Sequence, residues 1–195
     1  VQFIMKDAGK AEPDTTVPQY NQSMVKGLAA TMINNRLMEM VNSNNPPFTY
    51  GVVYHGGTYA RGKEAFQGMA VTKDGKQVDA LKVLLEEVER ASKFGFTAIE
   101  LERAKSQILS NLEKTYNNRD KTESEILVGE YVNSFLKSEP IPGITWEYNQ
   151  TKSYLPSINL EQVNNIVKNY VKDDSQVIVI TGPKKDGLVQ PTESQ

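Results

Sequence analysis

Apolar residues along the chain change period several times, and each change marks an element. Val1-Gln2-Phe3-Ile4-Met5 has the apolar, partly alternating character of a strand, so a strand is expected over Val1–Lys6. Asp7–Pro18 follows as a polar loop with two prolines. From about Gln19 to Val41 the apolar positions Met24, Leu28, Met32, Leu37 and Val41 recur at four and five residues. That drift predicts a long helix buried over a wide arc rather than along a narrow stripe. NSNNPP (42–47) stops it, because tandem proline lacks amide donors and clashes with the preceding turn. Phe48–Ala60 and Ala65–Thr72 then read as two strands of an antiparallel hairpin joined by RGKE (61–64), with Gly62 at the turn.

The second half is helical and well punctuated. Val78, Leu81, Leu85 and Val88 step by three and four, leaving Lys82, Glu86, Glu87 and Glu89 for other, solvated faces. Gly95 ends that helix. Directly after it, Phe96-Thr97-Ala98-Ile99-Glu100-Leu101 has the form of a capping box with a hydrophobic staple. Thr122–Glu125 repeats the box, and Asn159–Gln162 gives a third, flanked by Ile158 and Val163. Helices are expected near 76–93, 98–117, 123–137, 145–154 and 160–171. The β-branched run Gln176–Thr181 predicts a short buried strand. Strands segregated from a helical run argue for an α+β fold: an antiparallel-rich sheet of about four strands with about six helices packed on it.

Composition narrows the chemistry. The chain has 22 basic and 24 acidic residues among 195, for a net charge of −2, so it carries no excess positive charge for binding nucleic acid. No apolar run reaches the roughly 20 residues of a membrane-spanning helix. With no cysteine and a single histidine, His55, neither a thiolate site nor an H-E-x-x-H or H-x-x-E-H helix can be built. His55 falls on the strand face shared by Thr49, Val53 and Gly57, opposite Tyr50, Val52 and Tyr54. Three carboxylates at most join it as zinc ligands, an uncommon set, and an ordinary hydrogen-bonded strand histidine is the expectation. No G-x-S-x-G elbow and no G-x-x-x-x-G-K-[ST] loop occurs. Glu86, Glu87 and Glu89 diverge around a helix and are expected to be solvated. Tyr50, Tyr54 and Tyr59 lack the basic surroundings of a base-stacking platform. The segment is thus expected to hold no catalytic and no metal-binding residue. Without an initiator Met, and ending in the polar stretch GLVQPTESQ, the chain reads as an excised piece of a longer protein.

Several stretches together resemble a known family. NNRLMEMV (34–41), PPFTYGVVYHGG, FQGMAVTKDGK, ALKVLLEEVERASKFGFTAIELERAK (80–105), SEPIPGITWEYNQTKSYLP (138–156) and VIVITGPKKDG (177–187) occur in the order and spacing of the pitrilysin/insulysin zinc peptidases, the inverzincins. The likeness is to the second, non-catalytic domain of the N-terminal half, in long bacterial members. It implies a four-domain parent whose halves close around peptides, with zinc and the H-x-x-E-H helix in the preceding domain. This chain is then the non-catalytic domain over 1–187, with an interdomain linker starting at 188–195. Its implied partners are neighbouring domains and, through the whole protein, peptide substrate. The implied compartment is the cell envelope or periplasm.

Active members use an Arg and a Tyr seven positions apart in the C-terminal half to orient substrate. Here Tyr50 aligns with that Tyr, but Ser43 stands seven residues upstream, and Arg36 matches the helix-closing Arg instead. Tyr50 is kept as the one candidate substrate contact, against a packing role in the hairpin. Two other readings stay open: a domain of a catalytically inactive member acting as a structural or partner subunit, and a self-contained α+β binding module.

Overall fold

The computed structural model describes residues 1–9, 13–60, 62–171, 175–183, 186 and 191–192. Along the chain run β1 (Gln2–Lys6), α1 (Val17–Val41), β2 (Tyr50–Gly57), β3 (Glu64–Val71), α2 (Gln77–Phe94), α3 (Ala98–Asn117), α4 (Ser124–Lys137), α5 (Ile144–Tyr154), α6 (Leu160–Lys168) and β4 (Gln176–Val179). Short 3-10 turns occupy Arg119–Lys121 and Leu155–Ser157. The fold is α+β. Its sheet has the order β2-β3-β1-β4, with every pair antiparallel. Arg61 of the hairpin turn and most of the expected 188–195 linker lie outside the described residues. Gly62 takes the positive φ of 72° that the turn requires.

One face of the sheet is the core. Phe3 and Met5 of β1, Val53 of β2, and Phe66 and Ala70 of β3 join Leu28, Met32, Ile33 and Leu37 of α1 in one buried cluster. The wide arc expected of α1 is observed, and the helix starts at a capping box of Thr16 and Gln19 followed by Pro18. Asn34 holds the edge strand to this helix. Its side-chain amide donates to the Val53 carbonyl at 2.9 Å, and its oxygen accepts from the Val53 amide at 2.7 Å. Gly68 is required in β3, since a Cβ there would enter the space of the Phe3 ring.

Three expectations are corrected. In α2 the buried face is Gln77, Ala80, Leu84, Glu87, Val88 and Ala91, rotated from the Val78-Leu81-Leu85 stripe. Small alanines let α2 approach its neighbours on that side. Thr122 does not form a capping box: α4 begins after Glu123 with no side-chain cap, and the Thr122 hydroxyl donates to the Arg119 carbonyl. β4 is an edge strand, with Ile178 and Val179 exposed, rather than a buried one. The boxes at Thr97–Glu100 and Asn159–Gln162 are both formed, and Phe96 and Leu101 are buried as the staple requires.

Candidate functional site

Three features of the fold bear on function: a polar cluster around His55, a charge network around Arg36, and the sheet face turned away from the core.

Strand alternation puts His55 on the inner face, where its side chain is 5% exposed. The Asp7 amide donates to the Glu64 carbonyl at 3.0 Å, which brings Asp7 beside the β3 start. His55 Nε2 then lies 2.9 Å from Asp7 Oδ2, and Nδ1 lies 3.9 Å from Glu64 Oε2. Lys26 Nζ from α1 reaches the same Glu64 oxygen at 3.4 Å. Tyr170 stacks on Phe66 at 4.0 Å and lies parallel to His55 at 5.8 Å, donating its hydroxyl to the Lys26 carbonyl. Burial, and after it the Asp7 carboxylate, raises the Tyr170 hydroxyl above the usual tyrosine range.

Ligand atoms of Asp7, His55 and Glu64 all fall within 4.8 Å of one another. They do not fit the zinc centre of an H-x-x-E-H peptidase, which draws two imidazoles from one helix. The imidazole here is single and bonded to Asp7, and the Lys26 ammonium already supplies positive charge at Glu64. The cluster is a partly buried polar pairing that links β2, β3, α1 and the end of β1. Sequence reasoning placed His55 on the correct face but missed Asp7, a contact across 48 residues that leaves no local pattern, and Glu64, which stands across the hairpin from it.

Arg36 carries no open guanidinium to offer a substrate. It bonds Glu100 in a fork at 2.6 and 3.1 Å, Glu87 at 3.2 Å and the Gly95 carbonyl at 3.0 Å, and it lies 4.6 Å over the Phe96 ring. Glu87, expected in solvent, is only 2% exposed and also receives Arg90. Burial acts to raise the Glu100 carboxyl. The bonds from Arg36 and from the Thr97 amide and hydroxyl, with the Arg36 charge, outweigh it and hold the group down at about 2. Arg36 is therefore a clamp joining α1, α2 and α3.

Tyr50 sits at the start of edge strand β2, paired with Val71 and 47% exposed. It belongs to the outer sheet face. Rows there run Tyr50–Val71, Val52–Met69–Gln2–Val179 and Tyr54–Gln67–Ile4–Val177. Tyr54, Met69, Val71 and Val179 are likewise exposed, whereas Ile4 and Gln67 at the centre of the last row are buried, so the face is open and apolar mainly along its Tyr50–Val71 and Met69 side. Ser43, at the position where a partner Arg would stand, donates its hydroxyl to the Met40 carbonyl at the end of α1. Among the described residues no Arg/Tyr pair is assembled at Tyr50. A cleft of about 990 Å³ opens elsewhere, lined by Val17, Tyr20, Thr58, Leu136, Pro140 and Trp146 among others.

No protein-family model matches the sequence. The chain is similar to a zinc protease PQQL-like protein of Arabidopsis thaliana, 26% identical over 174 residues, or 89% of this chain and 15% of that protein. The first half of the periplasmic protease PqqL from Escherichia coli shares the fold, with a TM-score of 0.78 at 16% identity over 90% of this chain and 37% of that one. The fold is that of the insulinase-type peptidases. A peptidase M16 inactive domain from Pseudomonas fluorescens also matches, with a TM-score of 0.57 at 18% identity over 94% of this chain and 42% of that one. The pitrilysin/insulysin resemblance read from the sequence is thus borne out by both kinds of comparison. The chain spans only about a seventh of the Arabidopsis protein and little more than a third of the E. coli chain.

Proposed function

We propose that the chain is a non-catalytic domain of a zinc metalloendopeptidase, forming part of the wall of a substrate-enclosing chamber and supporting the neighbouring catalytic domain. In this reading residues 1–187 are the domain and 188–195 begin the linker to the next. Zinc resides in the catalytic domain of the parent. The parent acts on peptides in the cell envelope or periplasm, the compartment named for the E. coli relative.

The exposed apolar part of the outer sheet face carries this reading. A face of Tyr50, Tyr54, Met69 and Val71 binds unfolded peptide through dispersion and burial of apolar surface, with no need for a catalytic group. The free edge of β2 is held at Val53 by Asn34, which favours contact through the face over addition of a peptide strand to the edge. Tyr50 is the substrate contact we assign. It acts without the Arg used by active members.

Two measurements test this. The 195 residues alone, with or without zinc, are expected to cleave no peptide; zinc-dependent hydrolysis by them would overturn the reading. In the full-length polypeptide, Tyr50→Ala with Tyr54→Ala is expected to raise the peptide KM several-fold and leave kcat near its original value. An unchanged KM removes the sheet face from substrate contact.

The likeness to an inactive M16 domain favours a second reading, a structural or partner subunit built on a catalytically inactive member. An H-x-x-E-H helix in the same polypeptide decides for the first reading, and its absence for the second.

A further inference from the structure

Helix α4 is inside out. A helix on a globular domain turns its apolar stripe to the core and its polar residues to water. In α4 no residue is buried, and Leu127, Val128, Tyr131, Val132, Phe135 and Leu136, which share one side of the helix, are all exposed, Phe135 at 88%. The residues of α4 that are partly covered are the polar Asn133 and Ser134. Glu130, on the same side, acts on Glu147 of α5: burial first, and then the Glu130 charge, raises the Glu147 carboxyl above the usual range.

The segments that flank the helix are held by contacts of their own. Before it, Tyr116 of α3 stacks on Tyr148 of α5 at 4.6 Å, the Arg119 guanidinium lies 4.5 Å over Tyr116, and Thr122 bonds back to Arg119. At its end Ser138 adopts the left-handed conformation, with φ of 58°, and the chain turns into Pro140 and Pro142. Gly129 lies mid-helix with nothing within 4 Å of where a Cβ would be. Glycine is the poorest helix former after proline, and no neighbour in this domain explains it there.

We infer that the apolar side of α4 is the seat of an adjoining domain of the same polypeptide. Its six large apolar side chains give it the character of a permanent interface rather than of a transient contact, whose surface is more polar. A patch of this kind left in water would be an aggregation hazard. The match covers only 37% of the E. coli chain and 42% of the Pseudomonas chain, so in those proteins more than half of the chain is further polypeptide covalently joined to the matched domain. Gly129 lets that neighbour approach the helix backbone closely. This inference rests on reading the chain as one domain of a larger protein.

The test is thiol labelling in the full-length polypeptide, with native cysteines replaced by serine. Val128→Cys and Val132→Cys are introduced singly, with Lys82→Cys on the exposed side of α2 as reference, and each rate is normalised to the same protein in denaturant. In particles that light scattering shows to be monomeric, positions 128 and 132 are expected to label at least tenfold more slowly than position 82. A smaller ratio overturns the inference. Protection that appears only in dimers overturns it in favour of a second copy of the chain. Protection that appears only on adding peptide overturns it in favour of a substrate surface. Gly129→Leu, which has open space in the isolated domain, is expected to restore fast labelling at Val128→Cys; unchanged slow labelling argues against close approach at the glycine. Peptidase activity is not among these readouts. A protected α4 in an inactive parent would therefore sink the peptidase reading alone, and an exposed α4 in an active parent would sink this inference alone.

Discussion

Arg36 and Glu100 lie 64 residues apart in sequence, and their side chains meet in a two-pronged bond, Nε to Oε1 at 2.6 Å and Nη2 to Oε2 at 3.1 Å. Glu100 also belongs to the capping box of α3, accepting from the Thr97 amide at 2.7 Å. One carboxylate thus closes a local helix start and a long-range link to α1. Glu87 completes the arrangement from α2.

Removing Arg36 takes the fork from Glu100 and leaves buried Glu87 to Arg90 alone. Arg36→Ala is expected to destabilise the 195-residue chain by about 3–5 kcal/mol, measured by urea unfolding. Arg36→Lys keeps the charge but loses the planar fork, and is expected to recover only part of that loss. Full recovery by lysine would show that charge alone matters at this position.

Stability should fall in acid through Glu100. Its folded carboxyl titrates at about 2 against an ordinary 4.5, so the unfolded state binds the proton more readily. The contribution is fully present above pH 4.5 and is lost as pH falls from there toward 2. Allowing for solvent screening at this partly exposed group, it amounts to about 2 kcal/mol. Glu100→Gln should flatten the stability–pH curve in that window. An unaltered curve would assign the acid sensitivity to other groups.

His55 is expected to stabilise by pairing rather than by holding metal. One equivalent of zinc should leave the unfolding temperature of the chain unchanged, and calorimetry should show no one-to-one binding. His55→Ala should cost about 1–3 kcal/mol by removing a largely buried imidazole that bonds Asp7 and packs beside Tyr170. Stoichiometric zinc binding lost in His55→Ala would instead make the cluster with Asp7 and Glu64 a metal site.

Gly68→Ala is a third stability test. Its Cβ would overlap the Phe3 ring and crowd Val53, and both side chains are fixed in the core. A loss of about 1–3 kcal/mol is expected in the same unfolding experiment, despite the ordinary preference of strands for alanine over glycine.

The local signals were legible in the sequence. Thr97–Glu100 and Asn159–Gln162 were readable as capping boxes because a box spans four residues and needs nothing from the rest of the chain. The tandem prolines after α1, Gly95 and the period of each helix fixed the order of elements in the same way. The α+β class follows from that order, and the single histidine already excluded an H-x-x-E-H centre. Thr122 shows the limit of local reading, since it had a capping pattern and bonded Arg119 instead.

Tertiary structure decided what those elements face. Glu87 looks like a surface residue until α2 rotates its alanines inward and sets the carboxylate against Arg36. Glu64 reaches His55 through the β2–β3 pairing, and Asp7 only when β1 pairs with β3. The apolar side of α4 has the same periodicity as any core helix, and only packing shows that it points outward. Periodicity reports which residues share a side of an element; the direction of that side is set by long-range burial and charge pairing, to which local sequence is blind.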